Sequence, residues 1–285
     1  MQRRSIDLAS EKVESLRRKS LVTVSLIITA VALTLAIKAS GCSAIAFHQT
    51  QASASQDASS EIAALTERLK SSDEEERRDA ALALATLKTP AVAPALTAAL
   101  NDPSERVRAV AATGLGAIND PSLVSVLSAR LAQEKRPFVR KAIAYALGNF
   151  RSAQATPALI AALRDKDIEV RGAAAVALGQ YADATAIEPL TNALRDKSEF
   201  VRAKAACALG VNSRAAARAV PILIKLLTSD KEHEVKRQSA IALGLIGEPS
   251  ALPALERAVR DPDPYLSRAA IDAIKMIIGI RDRKV

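Results

Sequence analysis

Small apolar residues recur along the chain in one repeated pattern. The motif Val-Arg-x-x-Ala-Ala-x-Ala-Leu-Gly, or a variant of it, returns at steps of 31, 32, 31, 31, 34 and 31 residues. Its copies begin at Glu76, Val107, Val139, Val170, Val201, Val235 and Leu266. With the first motif residue counted as position 0, positions 0, 4, 7, 8 and 11 share one helical face, where Val, Ala and Leu recur. The pattern therefore predicts seven amphipathic helices, each with a buried Ala/Leu face.

A shorter apolar segment precedes the motif and predicts another helix in each repeat. Three of these segments start with a proline, at Pro94, Pro157 and Pro253, and proline suits the first turn of a helix. Sequences such as Asn-Asp-Pro-Ser and Arg-Asp-Lys-Asp separate the two segments, and they favour a turn followed by a helix N-cap. Each repeat is therefore predicted to be a hairpin of a first and a second helix.

This hairpin pattern resembles the short HEAT-like repeats of the phycobilin-lyase type, over about three quarters of the chain. The resemblance implies an all-α fold, a right-handed α-solenoid of about seven two-helix repeats over residues 61–285. Composition is consistent with this fold, because aromatic residues make up only 2% and Trp is absent. Such a core must consist of small aliphatic side chains on closely packed helices.

Charged residues repeat in register with the motif. An acid lies five residues before the motif start, at Asp102, Glu134, Asp165, Asp196, Asp230 and Asp261. A base lies one residue after it, at Arg77, Arg108, Arg140, Arg171, Arg202 and Lys236. In HEAT repeats such charges form a ladder between successive units, and here it ends at Ser71 and Ser267, as terminal repeats with one neighbour would require. Binding of a ligand by these charges is the alternative.

The N-terminal region carries a predicted membrane segment. A basic cluster at residues 17–19 precedes Leu21–Ile37, seventeen uncharged residues that can cross or nearly cross a bilayer as a helix. The following Ala39-Ser40-Gly41-Cys42 resembles the bacterial lipobox, which implies lipidation of Cys42. An uncleaved transmembrane anchor is the alternative. In either case the basic cluster stays in the cytoplasm and the repeats lie on the far side.

The chain thus divides into four predicted segments. Residues 1–20 are a basic cytoplasmic segment, 21–41 a signal peptide or membrane anchor, 42–60 a flexible Ser/Ala/Gln linker and 61–285 the solenoid. We expect the protein in the bacterial cell envelope, attached to a membrane with its repeats outside the cytoplasm. The choice between inner and outer membrane, and the oligomeric state, stay open.

Motif positions 2, 3, 6 and 10 form the face opposite the predicted core. The resemblance implies that this face lines the concave side of the solenoid. Position 6 is unexpectedly apolar, with Leu82, Thr113, Tyr145, Val176, Cys207 and Ile241. The predicted partner-binding residues are Tyr145, Asn149, Val176, Gln180, Lys204, Cys207, Gln238 and Ile241. The alternative is that the position-6 side chains pack against the adjacent repeat.

The remaining chemistry favours a protein partner over a reaction. The net charge of +9 falls to +5 without residues 1–41, spread over a mixed surface with few aromatic residues, so nucleic-acid binding is not expected. The two histidines, His48 and His233, form no zinc or iron motif, and no phosphate loop occurs. We expect no metal, cofactor or catalytic residue. The sequence favours a non-catalytic scaffold or adaptor for an unidentified protein, with phycobilin-lyase-like chromophore attachment or chaperoning as the alternative.

Overall fold

A computed structural model gives the fold, and it describes residues 58–181 and 183–282. The chain from Ile62 onward forms one compact unit. The predicted membrane segment, Cys42 and most of the linker lie outside the described residues.

The described residues form seven helical hairpins without a strand. The first helices are α1 (58–68), α3 (Ala93–Ala99), α5 (Leu123–Gln133), α7 (Thr156–Ala162), α9 (Ala184–Ala193), α11 (Val220–Ser229) and α13 (Leu252–Ala258). The second helices are α2 (Glu74–Leu87), α4 (Glu105–Ile118), α6 (Pro137–Asn149), α8 (Ile168–Gly179), α10 (Glu199–Val211), α12 (His233–Ile246) and α14 (Pro264–Asp282). Four 3-10 turns precede first helices, at Pro90–Val92, Ala153–Ala155, Ser213–Ala219 and Pro249–Ala251.

Local sequence explains where the helices begin and end. Asp73, Ser104 and Asp167 cap α2, α4 and α8 by accepting hydrogen bonds from backbone N–H groups of the first turn. Gly247 ends α12 with a φ of 78°, a left-handed conformation that glycine adopts without strain. The predicted hairpins are therefore confirmed. The described part of helix α1 includes residues 58–60, and the predicted domain bounds stay a prediction.

Second helices pack most extensively against the second helices of neighbouring repeats, and first helices contact one another much less. The valines at motif position 0, such as Val107 and Val170, are fully buried between them. Closer contact among the second helices places them on the inner side of the stack. The all-α repeat solenoid is thus confirmed, whereas its right-handed sense stays a prediction.

Glycine–alanine contacts allow this close approach. A Cβ atom added to Gly179 would lie 2.9 Å from the Cα atom of Ala208 on the next second helix, too close for two carbon atoms. The same contact joins Gly116 to Ala146, Gly148 to Ala177, Gly210 to Ala242 and Gly244 to Ala273. The motif glycine is therefore a packing residue between repeats.

The predicted charge ladder forms between repeats. Arg171 donates from Nε and Nη2 to the carboxylate of Asp196 in the next repeat, at 2.8 and 2.9 Å. Its Nη1 donates to the carbonyls of Asp165 and Lys166 in its own hairpin. Asp196 also accepts from the Ser198 backbone N–H. Equivalent bidentate pairs are Arg77–Asp102, Arg108–Glu134, Arg140–Asp165 and Arg202–Asp230.

Five rungs of the ladder are thus confirmed as structural, since each guanidinium is occupied by its own loop and by the next repeat. The prediction of a sixth rung is wrong for the described residues. Lys236 and Asp261 line the same surface depression but form no ion pair. At the terminal positions, the Ser71 carbonyl accepts from Arg77, and the Ser267 hydroxyl donates to the Val259 carbonyl.

Candidate partner-binding groove

The six position-6 side chains are accessible. Leu82 is 53% exposed and Tyr145 38%, while Thr113 and Cys207 are also exposed and Val176 and Ile241 are half-buried. None of these six is buried by a neighbouring second helix. The row is therefore accessible to solvent, and partner binding by these residues stays a prediction.

The other predicted partner-binding residues differ in how they are held. Asn149 and Gln180 are exposed, near the ends of α6 and α8. Lys204 is half-buried, and its Nζ lies 5.3 Å from the ring centroid of Phe200 on the same helix, a cation–π contact. Gln238 is also half-buried and donates from Nε2 to Glu234 Oε1 at 2.9 Å. Neighbours on the same helix therefore already orient the last two side chains.

A groove of about 640 Å³ opens on the inner side of α2, α4 and α6. Its lining comprises Arg78, Leu82, Ala85, Arg106, Ala109, Val110, Thr113, Phe138, Lys141, Ala142, Tyr145, Ala146 and Asn149. Only Tyr145 and Asn149 of the predicted partner-binding residues lie in it. The other six lie on or just after α8, on α10 and on α12, so the structure divides the predicted set between this groove and the surface of later repeats.

Phe138 is a large apolar groove residue that sequence reasoning missed, as it missed the basic residues Arg78, Arg106 and Lys141. It is 52% exposed and lies at the position just before the motif start. That position is charged in four of the seven repeats and aromatic in the other three, at Phe138, Phe200 and Tyr265. An aromatic residue at a motif position that is otherwise charged could have marked Phe138 as a candidate binding residue.

The charged residues in the groove lining are all basic, namely Arg78, Arg106 and Lys141. Their acidic partners lie outside the lining. Glu75 pairs with both arginines, and Glu169 lies 3.5 Å from Lys141. Asp79 accepts a hydrogen bond from Arg78, which raises the pKa of that guanidinium. The groove thus has an apolar floor and a rim of cations.

In the part of the chain that the structure describes, no cluster of three His, Cys, Asp or Glu side chains could hold a metal ion. Cys207 is a free, exposed thiol. His233 is exposed at the start of α12, with Nδ1 3.4 Å from Asp263 Oδ2. Within residues 58–181 and 183–282 no helix is both long and apolar enough to cross a membrane.

Comparison with known families agrees with the hairpin architecture. The sequence matches the family model for HEAT repeats over residues 62–148, 129–210 and 187–275. The chain belongs to the HEAT-repeat family. A search of curated proteins finds no match to this HEAT-repeat chain.

Solved structures similar to this HEAT-repeat protein include YibA of Escherichia coli, at 24% identity and a TM-score of 0.59, covering 77% of this chain and 81% of YibA. An engineered protein is 24% identical with a TM-score of 0.53, covering 77% of this chain and 71% of the other. The complex of CpcE and CpcF of phycocyanin lyase from a Nostoc species is 24% identical with a TM-score of 0.49. The match covers 75% of this chain and 92% of the other chain. These likenesses concern the fold alone.

Proposed function

We propose that this protein is a non-catalytic scaffold or adaptor that binds another protein on the inner surface of its second helices. The accessible groove across α2, α4 and α6 carries the proposal. Large apolar side chains that stay exposed on an ordered surface are typical of binding sites. Tyrosine and arginine, both present here, are enriched among the residues that dominate binding energy.

The same proposal includes attachment to the extracytoplasmic side of a bacterial membrane. The uncharged run Leu21–Ile37 and Cys42 support it from the sequence. A lipid on Cys42 or a transmembrane helix would hold the repeats near the membrane surface, where they could bring a partner to it. Neither form of attachment requires a catalytic group in the solenoid.

Site-specific photocrosslinking in native membranes tests the binding surface. A photoreactive phenylalanine analogue at position 145 should give a defined adduct with a partner protein. The matched control is the same analogue at Ser125, an exposed residue of α5 in the same hairpin. Adducts of equal yield from both positions, or from neither under several growth conditions, would contradict the scaffold proposal. A new visible absorbance band on incubation with a free bilin would favour chromophore handling instead.

Mass spectrometry of the membrane-extracted protein tests the attachment. A mature chain that begins at a lipid-modified Cys42 is the expected product of lipoprotein processing. An intact N-terminus would instead identify a transmembrane anchor. Recovery of the intact protein in the soluble fraction would refute membrane attachment in both forms.

A further inference from the structure

We propose that the groove across α2, α4 and α6 recognises an acidic amphipathic segment of a partner protein, with apolar side chains on one face and carboxylates beside them. This inference rests on the proposed scaffold function and names the chemical class of its partner. It is carried by two independent features of the groove, its apolar floor and the sign of its rim.

The floor of the groove accepts apolar side chains. Phe138 and Tyr145 lie seven residues apart on α6, two turns along one helical face, and Leu82 lies across the groove on α2. Small residues such as Ala109 and Ala142 form the base between them. The volume of about 640 Å³ is within the usual range for ligand sites. Binding would therefore bury the exposed parts of three large apolar side chains.

The span of the groove matches a short helix. Packed helices lie about 8–10 Å apart, so a segment that crosses from α2 to α6 covers roughly 16–20 Å. A helix of about 12 residues has that length. Such a helix presents apolar side chains at i, i+3, i+4 and i+7 to a groove of this kind.

The rim of the groove selects the charge of the segment. Arg78, Arg106 and Lys141 line the groove, whereas Glu75 and Glu169, which pair with them, do not. Exposed ion pairs of this kind contribute little to stability, so the cations can turn to a partner's carboxylates at little cost. A basic segment would instead bring like charges together.

Two labelled peptides test the proposal against the full-length protein in detergent. Each has 14 residues and Leu at i, i+3, i+4 and i+7; one carries Glu on its polar face and the other Lys. We expect the Glu peptide to bind at least tenfold more tightly than the Lys peptide at low salt, with a smaller difference at high salt. The variant Phe138→Ser should weaken both.

Charge reversal in the protein provides the decisive variant. Arg106→Glu combined with Lys141→Glu should invert the preference, so that the Lys peptide binds more tightly, a result that unfolding cannot produce. The matched control is Lys225→Glu, which makes the same change at an exposed residue of α11. Equal affinity for the two peptides, no binding of either, or an unchanged preference after charge reversal would overturn the proposal.

A tryptophan reporter separates a protein segment from a lipid surface. The chain contains no Trp, so Phe138→Trp places a single tryptophan in the groove, and its emission can be excited selectively over that of tyrosine. Its emission should shift to the blue with the Glu peptide. The same shift in phosphatidylglycerol vesicles without peptide, abolished by the charge reversal, would replace the proposal with lipid binding. If position 145 still crosslinks to a protein while the Glu preference is absent, this inference fails and the scaffold function stands.

Discussion

Gly114 of α4 faces Ala85 of α2, and a Cβ atom added to Gly114 would lie 2.7 Å from the Ala85 Cβ. In the later repeats the order is reversed, because the glycine lies on the earlier helix and the alanine on the later one, as in Gly179 and Ala208. Either order leaves one methyl group between the two helices. The requirement for one glycine therefore applies to each facing pair of residues and not to a single motif position.

Exchange of glycine and alanine between α8 and α10 tests this pairing. Gly179→Ala should destabilise the protein by about 1–2 kcal/mol, because overpacking outweighs the better helix propensity of alanine. Adding Ala208→Gly should restore part of the loss, since it recreates the order found at Ala85 and Gly114. Urea denaturation followed by circular dichroism measures both variants.

Gly279→Ala is the matched control for that exchange. A Cβ atom at Gly279 would meet no atom of a packed neighbour within 4 Å, so this substitution in α14 should be neutral or slightly stabilising. A double variant no more stable than Gly179→Ala alone would show that the two residues are not coupled.

Removal of one ladder arginine should reduce stability without changing the groove. Arg171→Ala leaves the largely buried carboxylate of Asp196 unpaired and removes the donor to two loop carbonyls. We expect a loss of about 2–3 kcal/mol in thermal or urea unfolding. Arg164→Ala, at an exposed position of the preceding loop, should change stability by less than about 0.5 kcal/mol. A large loss of partner or peptide binding at unchanged stability would refute the structural role.

The unformed sixth rung offers a gain of stability. Lys236→Arg should allow the bidentate pairing with Asp261 that five other repeats make, because guanidinium matches the geometry of a carboxylate and ammonium does not. The expected gain is up to about 1 kcal/mol in urea unfolding. In an Asp261→Ala background the same substitution should bring no gain. A gain of equal size in both backgrounds would rule out the pairing.

The repeat architecture was predictable because each copy of the motif provides the same evidence again. Arg171 and Asp196 could be paired from sequence, since their spacing of 25 residues recurs at Arg77 and Asp102. The failed rung between Lys236 and Asp261 differs only in the chemistry of its base, which spacing does not reveal. Periodicity thus predicts where side chains meet, and the identity of each side chain decides whether they bond.

The location of the groove was not predictable, because it depends on contacts between non-equivalent residues. Phe138 and Phe200 occupy the same motif position, yet Phe200 lies against Gly172 on the preceding second helix. A Cβ atom at Gly172 would be 2.2 Å from the Phe200 ring. Ala109 stands at the equivalent position before Phe138, so Phe138 cannot fold down in the same way and stays 52% exposed. One methyl group therefore accounts for the difference in exposure between Phe138 and the half-buried Phe200.

Acid should weaken the rung of the ladder at Glu134. Burial raises the pKa of this carboxyl, but hydrogen bonds from Arg108, the Arg136 backbone N–H and Arg130 outweigh burial and lower the pKa from 4.5 to about 2. Because the pKa is depressed in the folded state, the carboxylate stabilises the fold above pH 4.5, and this contribution is lost as the pH falls towards about 2. This contribution to the free energy of unfolding amounts to about 3 kcal/mol.

Glu134→Gln removes that titration. The variant should be less stable than the native protein at pH 7, because Arg108 loses its carboxylate partner. Between pH 5 and pH 2 its stability should fall less steeply, since one depressed carboxyl no longer binds a proton on unfolding. Urea unfolding across this range measures both slopes, with Glu256→Gln on exposed α13 surface as the control. Equal slopes for the native protein and Glu134→Gln would contradict a depressed pKa at Glu134.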